Sequence, residues 1–169
     1  MSHELPPPTP LWSDYNLSYL TRKWIGELFY WIGGSSGTFT VGITATTGTI
    51  TIATTADKLA YRKMGRQVTV LGWISVTSVS APSGVLKITG LPFKGGNRSA
   101  GFVDITAGIC QGDQWGIAPV GGTFCEIVED VDYLSVYERG TTAIGVSIAA
   151  NVAAGTDFYI NITYMTDDA

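Results

Sequence analysis

A chain of 169 residues is long enough to bury the core of one domain and short for two. Only 14 % of its residues are charged while Gly numbers 21, so small hydroxyl side chains rather than ions must cover much of the surface, as in a β-rich protein. Ten basic residues against fourteen acidic ones, a formal net charge of −4, argue against nucleic acid as a partner, because phosphate binding draws on clustered Lys and Arg.

The N-terminus, "MSHELPPPTPLW", has no basic start, apolar run or small-residue cleavage site, so no secretory signal is expected and synthesis in a cytoplasm is. The sequons at Asn16, Asn97 and Asn161 then carry no meaning. Leu5 to Pro10 reads as an extended strap, since each proline fixes φ and disfavours helix in the residue before it. From Ser13 to Ile32, Leu17, Leu20, Trp24, Leu28 and Trp31 recur at helical spacing, and Gly33 and Gly34 end the run. Arg22, Lys23 and Glu27 interrupt this segment, so membrane insertion is not expected. Its aromatic side chains, Trp12, Tyr15 and Tyr19 among them, cover more than one face. Such a helix needs cover from its own domain, from further copies of the chain or from a larger assembly.

"GGSSG", Gly33 to Gly37, is a linker by composition. Beyond it the hydrophobic period changes to two, dividing the chain into residues 1–36 and a β domain over residues 37–169. "TFTVGIT" and "TITIA" predict two strands, with Phe39, Val41 and Ile43 on one face of the first and Ile50 and Ile52 on one face of the second. "RQVTVLGWISVT" alternates most strongly; Leu71 and Trp73 make its second face apolar too, so it is expected to be central and covered on both sides. "GVLKITG", "AGFVDITAGIC", "QWGIAPV", "GTFCEIV", "VDYLSVYE", "AIGVSIA" and "DFYINITYM" follow at a spacing near ten, bounded by turn residues. That rhythm predicts an all-β sandwich or barrel. In the last run Phe158, Ile160, Ile162 and Tyr164 face one way and Tyr159, Asn161 and Thr163 the other, which predicts a central strand before a frayed "TDDA" tail.

"AYRKMGRQVTVLGWISV" followed by "SGVLKITGLPF" resembles the C-terminal jelly-roll modules of bacteriophage tail fibres, tailspikes and related virion appendages. Tyr61, Gly65, Val68, Val70, Gly84, Ile88, Gly90, Leu91, Pro92 and Phe93 carry the likeness: a Tyr, a polar step, a Gly, a long strand, a Ser/Gly-rich turn, a second strand and "TGLPF". The resemblance implies a trimer of jelly rolls similar to the tumour necrosis factor and complement type. A mean hydropathy of +0.21 agrees, because so apolar a chain stays soluble if an obligate interface buries one face. In this setting residues 1–36, with Trp12, Tyr15, Leu20, Trp24, Leu28 and Trp31, are expected to provide virion attachment or trimerisation. "GLPFKGG" is then a sandwich corner, where Gly90 relaxes the strand, Pro92 removes a donor, and Leu91 and Phe93 cap the core.

Candidate chemistry is sparse. His3 is the only histidine and lies in the leader, so the domain has no imidazole base for a Ser or Cys nucleophile. Cys110 and Cys125 show no metal spacing and are expected to be buried free thiols. Glu126, Glu129, Asp130 and Asp132 read as a solvated turn, with calcium binding or a glycosidase carboxylate pair as alternatives. "KGGNRSAG" lacks phosphate-loop spacing and reads as a flexible surface loop carrying Lys94 and Arg98. Trp115, Tyr133 and Tyr137 are candidates to stack on sugar rings, with Asp113, Gln111 and Gln114 as hydrogen-bonding neighbours; core packing is the alternative for the aromatics. The expectation is a non-enzymatic virion subunit, without cofactor or metal, that binds other virion proteins through its N-terminal segment and a bacterial surface polysaccharide through loops. The alternatives are a purely structural head-fibre, decoration or tail-plug subunit and a polysaccharide depolymerase.

Overall fold

A computed structural model describes residues 34–97, 105–139 and 144–168. The expected helix and its six anchor residues, Trp12 to Trp31, lie outside the described residues, as does His3.

The described chain is all-β, as the alternation predicts. Its strands are β1 (Ser35–Thr40), β2 (Gly42–Ile52), β3 (Lys58–Met64), β4 (Gln67–Thr89), β5 (Ile105–Asp113), β6 (Thr123–Val128), β7 (Tyr133–Arg139), β8 (Ile144–Ser147) and β9 (Asp157–Met165), with a 3-10 turn at Ala149–Asn151. All pairings among the described strands are antiparallel, and β4 organises them. Its first half, Gln67 to Ser75, pairs with β9; β9 continues to β5, β5 to β6 and β6 to β7. β7 then returns to the second half of β4, over Leu86 to Thr89. Five strands thereby close a barrel, so none of these five presents an open edge within it. β3 and then β1 extend the sheet from the first half of β4, β2 lines its second half, and β8 lies beyond β7.

Two predicted strands and the turn between them are therefore one 23-residue strand. "SAPSG" looks like a turn because Pro82 and Gly84 break local alternation. Here β2 keeps the ladder intact past it, pairing Thr47 with Ser83 and Thr49 with Ser80, and Ala81 (φ 41°) and Gly84 (φ 80°) absorb the irregularity as bulges. The expected division between "TFTVGIT" and "TITIA" also shifts. The break falls at Val41, whose N–H donates to the Asp57 carbonyl at 2.8 Å, and both later runs belong to β2. Ser35 to Gly37, expected as linker, pair with Lys63 to Tyr61 of β3. Their small side chains suit a strand whose neighbour supplies the bulk.

Inward positions fill the barrel with Val68, Val70, Ile74, Leu86, Ile88, Leu134, Val136, Phe158, Ile160 and Ile162, all buried. β9 follows its predicted faces residue by residue and is central, between β4 and β5. Leu71 and Trp73 depart from expectation: β4 is central in the sheet, yet they stand 49 % and 47 % exposed because no second layer of the described chain covers that outer face.

"GLPFKGG" crosses one end of the barrel as a corner. Leu91 is buried and donates its N–H to the Asp132 carbonyl; the Tyr164 hydroxyl donates to the Phe93 carbonyl at 2.8 Å. Tyr61 packs edge-on against Phe93 with ring centroids 5.4 Å apart, so two residues of the tail-fibre pattern meet in this plug. Gly95 and Gly96 are buried and hydrogen-bonded to Val131 and Met165. The expected flexible loop is thus pinned as far as Asn97, although Lys94 is exposed as expected; Arg98 lies outside the described residues. Residues 166–168 of the tail are held for a related reason. Arg66 pairs with Asp167, which also accepts the Asn97 N–H, and Thr166 is fully buried.

Candidate functional site

The opposite end of the barrel, where β5 and β7 finish and β6 and β9 begin, carries the loop 114–122. Gln114 opens it at φ 53°. The buried Thr156 hydroxyl donates to the Gln114 carbonyl, and Gly116 N–H donates to the Asn151 carbonyl at 2.9 Å. Glu138 on β7 accepts from the Val120 N–H and lies 3.5 Å from the Asn151 amide. The loop base is fixed by these bonds, while Ile117 and Val120 at its tip are exposed.

Trp115 lies between these states. Its indole meets Phe158 edge-on at 5.2 Å and covers Gly112, where any Cβ would overlap the ring. The other side borders a crevice of about 240 Å³ lined by Gln111, Gly112, Trp115, Ala118, Pro119, Gly122 and Thr123. A second crevice of about 350 Å³ shares Gly122 and Thr123 and reaches Phe124 and Arg139. The first is small beside the usual clefts for drug-sized ligands, roughly 300–1,000 Å³, and the second stands at the lower end of that range. Their scale suits a short polar segment laid along a surface, with hydrogen bonding from Gln111, Thr123 and Arg139.

Of the six candidate ligand residues, Gln111, Asp113, Gln114 and Trp115 come together here. Tyr137 stands one strand away, its ring 5.8 Å from that of Phe124. Tyr133 lies at the other barrel end, opposite Thr89 and beneath the Lys87 ammonium, 4.0 Å from the ring centroid. Register adds residues that sequence reasoning left out. Asp157 is the cross-strand partner of Asp113, and Tyr159 is that of Gln111. The charge of Asp113, then burial, then the charge of Asp157 raise the Tyr159 phenol above its ordinary value. Nothing local in "DFY" signals that it faces "QGD" more than forty residues earlier.

The acidic group is divided among elements. Glu126 sits within β6 opposite Ala107, Asp130 occupies a turn at φ 60°, and exposed Asp132 serves the corner through its carbonyl. Among the described residues no three His, Cys, Asp or Glu side chains gather in a metal-binding group.

Cys110 and Cys125 are free and fully buried, as expected. A hydrogen bond to Cys125 and then burial raise the Cys110 thiol well above its ordinary value. Folding therefore holds a proton that the unfolded chain releases near pH 9. The unfolded state then binds fewer protons, so this contribution to stability is complete below that pH and declines as pH rises above it. Thermal melts should show this alkaline slope, and Cys110→Ala should flatten it.

The fold and this end of the barrel define an all-β barrel module with a pinned loop. No family model matches the chain, and no curated protein does. In the solved structures, the Dettilon tailspike protein is similar, with a TM-score of 0.64 and 15 % sequence identity. The match covers 79 % of this chain and 24 % of that one. The likeness is one of fold, and the chain spans about a quarter of that tailspike chain's length.

Proposed function

We propose that this chain is a non-enzymatic subunit of a phage virion appendage, a fibre, spike or fibre tip that attaches to a host-surface polysaccharide. The observation that carries the reading is the tailspike fold shared over 79 % of the chain. Strand order supports its jelly-roll form: β5, β6 and β7 run as successive antiparallel neighbours and β9 returns beside β5, the Greek-key order of such modules. Three copies make the working unit, residues 1–36 join it to other virion proteins, and no cofactor takes part.

The polysaccharide contact is assigned to the Trp115 end. The Gln114 amide is exposed beside a crevice bordered by an indole, a combination that offers sugar hydroxyls both an acceptor and donors next to an apolar wall. Each site is weak alone and gains from three copies and from many appendages on one particle.

The test is binding of the full chain to purified host capsule or lipopolysaccharide, with chain length of the polysaccharide measured afterwards. Unshortened polysaccharide should bind, and Gln114→Ala should weaken binding about fivefold, one hydrogen bond at ~1 kcal/mol. Shortened chains would overturn the non-enzymatic assignment. Failure to bind any host surface polysaccharide would overturn the attachment role.

A further inference from the structure

The outer face of β3, β4, β9 and β5 is apolar where a lone barrel should be polar. Register places Ala60, Leu71, Asn161 and Ile109 in one row across four adjacent strands, and Trp73, Tyr159 and Gln111 in the next. Leu71, Trp73, Tyr159 and Ile109 are 49 %, 47 %, 47 % and 61 % exposed. Isolated exposed apolar residues are ordinary, but four large ones on three neighbouring strands form a patch of the kind that marks an interaction surface. The row beyond is already satisfied internally, since the Thr69 and Thr163 hydroxyls bond each other at 2.9 Å. Those hydroxyls lose little when water leaves.

Charge identifies the occupant. On the β3 flank, Lys58 and Arg62 share the face of Ala60 and are exposed; neither forms an ion pair among the described residues. On the far flank Asp113 stands opposite Asp157, two like charges side by side with no cation paired to them among the described residues. Directly opposed like charges are unfavourable in an isolated sheet and favourable once a cation meets them. A partner of one sign would answer one flank and repel the other. A second copy brings its basic flank to the acidic one while apolar rows meet between them, the complementarity that fixes register in protein interfaces.

We propose that this β3–β4–β9–β5 face is where one copy of the chain seats on a second, with Leu71, Trp73, Ile109 and Tyr159 at its centre and Arg62 and Lys58 meeting Asp113 and Asp157 of the neighbour. The inference deepens the homotrimer of the proposed function and rests on it for the number of copies. It adds which surface is buried, and therefore that the loop 114–122 sits at the interface rim rather than beneath it.

Sedimentation of the full-length chain at micromolar concentration tests it. The wild type should run as a multiple of its 18.0 kDa mass. Ile109→Asp and Leu71→Lys should each weaken association at least a hundredfold and yield single chains, whereas Val120→Asp, on the loop tip, should leave the mass unchanged. Because a variant that merely unfolds would also lose association, a charge exchange supplies the second arm. Arg62→Asp alone and Asp113→Arg alone should weaken association, and the two together should recover it. A wild-type monomer overturns this inference and the homotrimer with it, even if a different virion protein occupies the face. An oligomer indifferent to Ile109→Asp and Leu71→Lys, or single charge variants that the exchange does not rescue, overturns the face alone and leaves the proposed function standing.

Discussion

Replacing Phe158 with alanine should lower stability by about 3–5 kcal/mol, the range for emptying a well-packed aromatic site. Phe158 is fully buried in β9, with Ile74 of β4 opposite on one side and Gly112 of β5 on the other. Its ring is the surface on which Trp115 rests edge-on. The void cannot close easily, because β9 is hydrogen-bonded on both sides and Gly112 offers no side chain to move in. Calorimetry should therefore record a melting temperature lower by roughly 10 °C, at ~2–4 °C per kcal/mol for a chain of this size. Trp115 should report the same event by a red-shifted emission. Phe158→Leu, which keeps most of the volume, should cost less than half as much. Equal losses for the two would mean that the site relaxes and that the indole does not depend on it.

Phe158 also marks where local pattern suffices and where it stops. Its inward direction is written in "DFYINITYM", because strand side chains alternate and only one phase buries the apolar set. The same rule places Val68, Val70, Leu86 and Ile88. What alternation cannot supply is the partner of each strand. "SAPSG" has the composition of a turn, and only β2, far away in sequence, keeps it extended. "GGSSG" has the composition of a linker, and β3 makes a strand of its last three residues. The tail depends on Arg66, a hundred residues earlier, and was unreadable as an ordered segment for that reason.

The candidate site divides in the same way. Asp113, Gln114 and Trp115 are consecutive, so their proximity follows from sequence; Tyr133 and Tyr137 share a strand, and the barrel sends Tyr133 to the opposite end. Asp157, Tyr159 and Thr123 reach the site through register alone. A similar limit explains Leu71 and Trp73. Alternation identifies an apolar outer face on β4 and gives no indication of whether the cover belongs to the same chain.

Gly90→Val should cost about 2–4 kcal/mol and act on the barrel end that Phe158→Ala leaves alone. Gly90 sits at φ 91°, a backbone region that costs an L-residue roughly 1–2 kcal/mol and a β-branched one more. A Cβ there would also stand 2.9 Å from the Thr40 carbonyl oxygen, a backbone atom that moves only if β1 moves. The corner depends on this position, because the chain must leave β4 after Thr89 and turn so that Leu91 enters the core and donates to Asp132. Strain and crowding separate by comparison with Gly65→Val. Gly65 has φ 56° and nothing within 4 Å of where a Cβ would go, so its variant carries the strain without the crowding. Chemical denaturation should therefore rank Gly90→Val below Gly65→Val by about 1–2 kcal/mol, the cost of overpacking against backbone. Displacement of the corner should also free the Tyr164 hydroxyl from the Phe93 carbonyl, so the phenol, which burial raises above its ordinary value, should titrate at lower pH in Gly90→Val than in the parent chain. Equal stabilities for the two glycine variants would place the whole cost in backbone conformation and leave the corner without a packing role.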